Sequence, residues 1–418
     1  MKIVTFGLGR IGLPIALICA DSGFDVVGVD INHKLVKLLN DGKAPFHEKR
    51  MDELLSMHIN KNFFPKTQDQ DIIADIKESD YIMIAVGTGF AKYPHAPKFS
   101  TLYSIIGQLI AAGIKDKTII LRVTLPIGTS KEIINLLNKK TGLVEGRDFW
   151  FAFVPERIME GKAIFEERNL PKIIGCYSDE SFNKVSNLFE KIGGHLLRVK
   201  NPCTAEFVKL IDNSWRNTRF AYANEISFLA ENKDIDISEA IKCANYGYER
   251  NQIPQPGPVS GYCLGKDPYI MELAFDEIAK KRGFNSLWYY GRLANDWHIE
   301  KIISEIKGKN VLVAGLSFKA NIDDYRYSHG VKIVKKLLKT GYNVSVCDPF
   351  LENNYYTTLE DEIKLKVESY RDIKKAIEEN KNIKTLIITI PHDSFKDITT
   401  EYIKTTSIIK IIDPWNIL

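Results

Sequence analysis

The strongest constraint on the fold of this chain stands at its start. Lys2 to Phe6 reads as a buried strand, Gly7-Leu8-Gly9-Arg10-Ile11-Gly12 follows, Arg10 to Ser22 reads as a helix, and Asp25 to Val29 as a second strand ending at Asp30. A strand, a three-glycine turn and a helix in this order specify a parallel βαβ unit that binds a dinucleotide. Gly7 permits the tight turn, Gly9 lets a pyrophosphate approach, and Gly12 lets helix and strand pack closely. The helix N-terminus adds backbone N–H donors and partial positive charge. Asp30 lies about 20 residues on, where a carboxylate holds a ribose diol and repels a 2′-phosphate, so NAD is expected rather than NADP. The residues expected at the cofactor are Gly7, Gly9, Arg10, Ile11, Gly12 and Asp30. Gly87, Thr88 and Thr124, at the ends of later strands on the same sheet edge, join them.

The alternation continues. Tyr81 to Val86, Thr118 to Val123, Trp150 to Val154 and Lys172 to Cys176 read as strands, with helical patterns such as Ser130 to Lys139 and Asp179 to Ile192 between them. Strands alternating with helices imply a parallel sheet covered on both faces. From Thr204 to Asn232 the spacing turns helical, and helices follow at Ile237 to Ala244, Pro268 to Lys281 and Ser286 to Lys307. Lys309 to Leu316 opens a second α/β unit, continued by strands at Asn343 to Cys347, Thr385 to Ile390 and Ile408 to Ile412. Its first turn, Gly315-Leu316-Ser317-Phe318-Lys319, lacks the three-glycine pattern and suits a different nucleotide. The expected class is α/β: two Rossmann-like doubly wound parallel-sheet domains joined by a central helical region with a long spine helix. The boundaries expected are 1–200, 201–305 and 306–418. A chain of 418 residues is long enough for two or three such cores. The spine offers a surface for a homodimer or a higher homo-oligomer.

Several classes of function fall away. The net charge of +4 is mild, and no basic block is interleaved with aromatics, so nucleic acid is not an expected partner. No apolar run is long enough for a membrane span. The N-terminus enters a strand at once, leaving no room for a signal peptide. Six scattered cysteines without a Cys-x-x-Cys pair argue against disulfides and zinc ribbons; reduced thiols in the cytoplasm are expected, most of them buried as small hydrophobes. The eight histidines show no ligand spacing, and no metal is expected.

Cys263 differs from the other five. It stands in Pro256-Gly257-Pro258-Val259-Ser260-Gly261-Tyr262-Cys263-Leu264-Gly265-Lys266-Asp267-Pro268-Tyr269, where small residues let backbone and substrate come close to the sulfur. A carboxylate follows one turn later. A nicotinamide site with a presented thiol points to a dehydrogenase that holds its intermediate covalently and carries an alcohol past the aldehyde to an acid.

Three further segments belong with it. Phe153-Val154-Pro155-Glu156-Arg157 ends a strand and places Glu156 at a sheet edge; Lys209 and Asn213 stand four apart on one helix face; Phe318-Lys319 and Arg326 lie in the second α/β unit. Each has an ordinary structural explanation taken singly: a solvated helix face, a surface ion pair, a helix cap at Asp267-Pro268. Together, in this order over the whole chain, they resemble the nucleotide-sugar 6-dehydrogenases, the family of UDP-glucose, GDP-mannose and UDP-N-acetylhexosamine dehydrogenases. Pro155-Glu156-Arg157 with Gly161-Lys162, and Arg250 through Pro258 together with Asp267-Pro268-Tyr269, are similar to the UDP-N-acetylmannosamine and UDP-N-acetylglucosamine branch. Tyr262-Cys263-Leu264 with Lys266-Asp267 looks more like the UDP-glucose branch. The family often has proline at the positions of Gly87 and Gly265, and Gly-Gly-x-Cys where Ser260-Gly261-Tyr262-Cys263 stands.

The resemblance implies a double oxidation at C6 of a UDP-sugar with two NAD in succession, UDP-N-acetylmannosamine being favoured. Cys263 would capture the aldehyde and carry the thioester. Lys209 and Asn213 would stabilise the oxyanion, and Lys209 would help keep the thiol ionised. The base would be a water held by Asp267 and Thr124, or Lys209 itself; Asp267 or Glu156 would position the hydrolytic water. Glu156, Arg157, Lys209, Asn213, Gly261 and Phe318 would contact substrate, Lys319 and Arg326 the diphosphate. Arg250 would reach the sugar from a neighbouring subunit. A single-oxidation β-hydroxy-acid dehydrogenase would need neither Cys263 nor a second nucleotide domain, and a non-catalytic sensor would not need the intact Lys209, Asn213, Cys263 and Asp267 set.

Overall fold

The computed structural model describes residues 1–91, 96–351 and 367–418, and resolves into two compact units. The first comprises Met1–Asp212 with Tyr269–Ala274, the second Asn213–Pro268 with Phe275–Leu418.

In the first unit the strands are β1 (Lys2–Phe6), β2 (Asp25–Asp30), β3 (Phe63–Thr67), β4 (Tyr81–Ile84), β5 (Gly89–Ala91), β6 (Ala96–Lys98), β7 (Thr118–Leu121), β8 (Trp150–Phe153), β9 (Lys172–Gly175) and β10 (Leu196–Val199). β5 and β6 pair alone as an antiparallel ribbon. The others form one sheet in the order β10-β9-β8-β7-β4-β1-β2-β3. From β3 to β8 every pairing is parallel, because helices cross over between strands. β9 then runs antiparallel to β8, and β10 parallel to β9. The segment between β8 and β9 folds back without a full crossover, which an antiparallel neighbour permits. Central strands such as β4 and β7 are buried along their whole length, as a sheet covered on both faces demands.

The second unit carries β11 (Asn310–Ala314), β12 (Asn343–Cys347), β13 (Glu368–Tyr370), β14 (Thr385–Ile388) and β15 (Lys410–Ile412), all parallel, in the order β13-β12-β11-β14-β15. One apolar core, with Val311, Val334 and Leu337, lies on one face of this sheet; another, with Ala376, Leu386 and Phe395, covers the opposite face. In both sheets the strand order reverses beside the first strand, between β1 and β4 and between β11 and β14. Loops leaving the carboxyl ends there diverge and open a crevice.

The helical region opens with Pro202–Glu231, continues with Ile237–Asn245, Asp267–Arg282 and Leu287–Ser304, and contains the loop that bears Cys263. The spine helix begins two residues earlier than its apolar spacing predicts, with Pro202 in the first turn, where its missing N–H costs nothing. Ala205, Leu210 and Ala223 are buried, but polar side chains share the inside with them and large apolar ones lie outside. Glu206, Lys209, Asn213, Asn217 and Asn224 are buried, while Phe207, Ile211, Trp215, Tyr222 and Leu229 are exposed. Spacings of three, four and seven place each set on one helix face. Among the described residues no helix is long and apolar enough to cross a membrane.

Candidate active site

In the first unit the fingerprint folds as its residue types require. Gly7 has φ of +90°, and a Cβ there would meet the Ala85 carbonyl oxygen at 2.9 Å. A Cβ on Gly12 would stand 1.8 Å from the Gly7 oxygen, so only glycine lets the helix Gly12–Asp21 approach β1. At Gly9 nothing lies within 4 Å of where a Cβ would project, which leaves the backbone open to a ligand. Gly7, Gly9, Asp30, Val86 and Gly87 line a crevice of about 260 Å³ at the switch between β1 and β4. Asp30 accepts from the Leu8 amide (2.8 Å, Oδ2) and the Asn32 amide (2.9 Å, Oδ1), which aims its carboxylate. A dinucleotide fits these residues: open backbone at Gly9 for the pyrophosphate and an oriented carboxylate for the ribose. Thr88 donates to the Thr124 carbonyl at 2.6 Å, tying the β4 and β7 ends together beside this crevice. Arg10 turns elsewhere and lies over the Phe46 ring, 4.7 Å from its centroid. Ile11 forms the helix N-cap position without a side-chain bond.

Glu156 follows β8 and is buried, its Oε1 accepting from the Ile158 amide. The Lys209 ammonium, also buried, donates to the Glu156 carbonyl oxygen and reaches its Oε2 at 3.4 Å. Both are therefore buried partners rather than surface charges. Arg157 instead pairs with Asp212 at 2.8 Å near the surface. Glu48 fixes the loop beyond Glu156, accepting from Gly161 (2.7 Å) and Ala163 (3.0 Å).

In the second unit Cys263 begins a helical turn: the Lys266 and Asp267 amides both donate to its carbonyl, at 3.2 and 2.9 Å. Asp267 is the first residue of the helix Asp267–Arg282, not its cap. Asn213 donates to Asp267 Oδ2 at 2.6 Å and the Lys266 ammonium to Oδ1 at 2.6 Å, all three side chains being buried. Burial pulls the Lys266 pKa down, but Asp267, Cys263 and Tyr262 outweigh it and hold the group above its ordinary value. Lys266 is thus a buried cation beside the thiol, which favours the thiolate. It did not figure among the residues expected from sequence. Its signal was available, since position i+3 from Cys263 is on the same turn that presents Asp267.

The loop bearing Cys263 is joined to the loop after β11. Gly261 has φ of +97°, and a Cβ there would lie 2.5 Å from Phe318 Cδ2. The Gly261 amide donates to Tyr327 O at 3.4 Å, and the His329 amide to Ser260 Oγ at 3.0 Å. Arg326 forms a two-pronged pair with the buried Asp324 (Nε–Oδ1 2.9 Å, Nη2–Oδ2 2.6 Å) and lies over the Tyr262 ring. Lys319 is half-buried in the same loop. Arg250 is exposed and stacks on Tyr248, apart from this cluster.

Asp348, at the end of β12, occupies the place that Asp30 holds in the first sheet. It is fully buried, accepting from Leu316 N (2.7 Å), Ser317 N (3.0 Å) and His392 Nε2 (3.2 Å). A carboxylate so enclosed has no face left for a ribose diol. The second sheet therefore does not offer the dinucleotide site of the first.

Among the other cysteines, Cys19, Cys176 and Cys347 are buried, and burial pushes Cys19 up to about 12 and Cys176 to about 11. Cys203 is only partly covered and Cys243 is exposed, so burial claims fewer of them than composition suggests. None of the six forms a disulfide.

Residues 1–193 match the NAD binding domain of the UDP-glucose/GDP-mannose dehydrogenase family, 203–287 its central domain and 312–418 its UDP binding domain. The chain is 31% identical over 99% of its length to a UDP-N-acetyl-D-mannosamine dehydrogenase of Pyrococcus horikoshii, covering 94% of that protein. A relative of the same name from Campylobacter jejuni is 31% identical, over 89% of this chain and 90% of its own. A solved UDP-D-ManNAc dehydrogenase of P. horikoshii superposes with a TM-score of 0.86 at 29% identity, over 100% of this chain and 96% of that one.

Proposed function

Because the chain belongs to the UDP-glucose/GDP-mannose dehydrogenase family and is an NAD-dependent oxidoreductase, we propose that it oxidises C6 of UDP-N-acetylmannosamine to the uronate through intermediates bound to Cys263. The observation that carries this reading is the Lys266–Asp267–Asn213 cluster one turn from the thiol. The relatives' names support the sugar.

Bound NAD supplies a hydride acceptor, used twice per sugar. The chain does the rest. A base removes the C6 hydroxyl proton as the first hydride departs; a water on Asp267 and Thr124, or Lys209, fills that role. The Cys263 thiolate adds to the aldehyde carbon, and the resulting oxyanion takes a proton to give a thiohemiacetal. Loss of a proton and a second hydride leaves a thioester. Water, positioned by Asp267 or Glu156, adds to it and expels the thiolate, giving the carboxylate. One alcohol and one water yield one carboxylate, two hydrides transferred and three protons released. Lys209 and Asn213 donate to the developing oxyanion. Covalent capture keeps the aldehyde from escaping. Lys319 and Arg326 bind the diphosphate, with Asp324 fixing the Arg326 fork for two-pronged contact. We assign residues 1–200 to NAD, 201–305 to the thiol and dimerisation, and 306–418 to UDP.

A homodimer belongs to the same proposal. The exposed apolar stripe of the spine helix continues onto Leu287, Tyr290, Leu293 and Trp297 of the helix Leu287–Ser304, around a groove of about 1100 Å³. Arg250 lines that groove, where a second copy would meet it. The Tyr262-Cys263-Leu264 sequence favours UDP-glucose as the second reading. NADH release with UDP-N-acetylmannosamine, UDP-N-acetylglucosamine, UDP-glucose and GDP-mannose decides between them. Two NADH per sugar are expected, and Cys263→Ser should make no uronate; uronate from that variant would defeat the covalent scheme.

A further inference from the structure

We propose that Arg292 is a positioning residue that fixes the Cys263 loop by clamping both of its ends at once. It stands in the helix Leu287–Ser304 and is among the largest fully buried side chains of the protein. A guanidinium has five N–H donors in one plane, and each finds an acceptor. Nε and Nη2 reach Asp296 at 3.3 and 3.1 Å; Nη2 also reaches the Val259 carbonyl at 3.1 Å; Nη1 reaches the Leu264 carbonyl at 3.3 Å and Asn217 Oδ1 at 3.2 Å. Val259 precedes Cys263 by four residues and Leu264 follows it.

A polar lattice extends the clamp. Asn295 donates to Asn217 Oδ1 (2.9 Å) and accepts from Asn224 (2.9 Å), whose side chain brackets Gly257 through its amide (2.8 Å) and carbonyl (3.2 Å). Burying a guanidinium for packing alone is unfavourable, since an apolar residue fills the volume without the loss of hydration. Its geometry explains its presence. Only a fork spans two carbonyls five residues apart while holding a counter-charge. Between the two held carbonyls, Ser260 to Cys263 can place the sulfur in few ways, and Gly261 takes up the strain at positive φ.

The consequence for catalysis rests on the reading of Cys263 given above. Displacing a reacting atom by about 1 Å costs on the order of 100-fold in rate. Arg292→Lys keeps the charge but concentrates three donors at one point and cannot reach both carbonyls. Its kcat for uronate should fall about 100-fold, with KM for NAD unchanged. Independently of turnover, alkylation of Cys263 by iodoacetamide is followed against pH by mass spectrometry of its peptide. The midpoint should move upward, because the sulfur leaves the Lys266 ammonium. Asp296→Asn, which weakens the clamp without emptying it, should shift the midpoint the same way by less, and serves if Arg292→Lys does not fold. An unchanged midpoint in the folded variant, or an unchanged kcat, overturns the proposal. Uronate from Cys263→Ser would defeat the thiol reading by itself and would leave the alkylation result standing.

Discussion

At the scale of residues, burial and backbone conformation decide which side chains matter. Asp30 is aimed by two amides toward an open crevice. Asp30→Ala should therefore weaken NAD binding about ten- to a hundredfold, the worth of a charge-assisted hydrogen bond, and leave UDP-sugar affinity alone. Titration calorimetry with each ligand separates the two. Gly261→Ala brings a Cβ onto the Phe318 ring at a backbone angle that L-residues avoid. It should cost about 1–3 kcal/mol in urea unfolding and most of the activity. His298 gives a pH signature. Burial, helped by the Lys301 charge, lowers its pKa from 6.5 to about 4. The unfolded chain takes up that proton first as pH falls, so the stabilising contribution is complete above pH 6.5 and is lost from there toward pH 4. Melting curves at pH 7 and pH 5 should differ more for the native chain than for His298→Phe.

At the scale of elements, strands were legible in proportion to how deeply they are buried. β1, β4, β7, β11 and β14 are central, and their apolar runs announce them. β3, β10 and β13 are sheet edges, and their sequences do not. β3 contains Pro65, tolerable at an edge where a missing N–H breaks no ladder, and β10 is largely exposed. The edge strand β15 was readable because isoleucines flank Lys410. Helix ends also depend on distant residues. Glu206, buried on the spine helix, accepts from Gly128 (2.6 Å) and Ser130 (2.7 Å) at the start of the helix Thr129–Thr141. Glu206→Ala should leave those amides unsatisfied and cost about 1–3 kcal/mol, measurable as a lower urea midpoint. No local pattern joins residues this far apart.

At the scale of the whole molecule, the spine helix departs from a simple amphipathic pattern, with amides inside and large apolar side chains outside. Leu210, Ala221 and Ala223 are buried, yet Trp215 is 60% and Tyr222 56% exposed, while Asn213, Asn217 and Asn224 lie inside. This exposed apolar stripe is the surface assigned above to the proposed dimer. If the proposed dimer forms there, the native chain should scatter light as a dimer and Trp215→Asp combined with Trp297→Asp as a monomer; a native monomer would overturn the assignment. The second sheet keeps the close helix packing of the first without its glycine motif. A Cβ on Gly330 would lie 2.4 Å from the Gly315 oxygen, the close approach that Gly12 makes to Gly7. The spacing has grown to admit the loop with Phe318, Lys319 and Arg326, so the glycine pattern vanishes from the sequence while its packing survives.

The sequence by itself determined the class of fold and the cofactor turn and singled out Cys263 for the proposal, because glycine conformation, buried strands and a helical turn are local properties. The tertiary structure alone decided that Lys266 stands inside beside the thiol, that Asp348 is closed to ribose, and that Arg292 holds the loop. Each of these rests on hydrogen bonds or charges whose strength depends on exclusion from water, and burial is a property of the folded chain rather than of any segment.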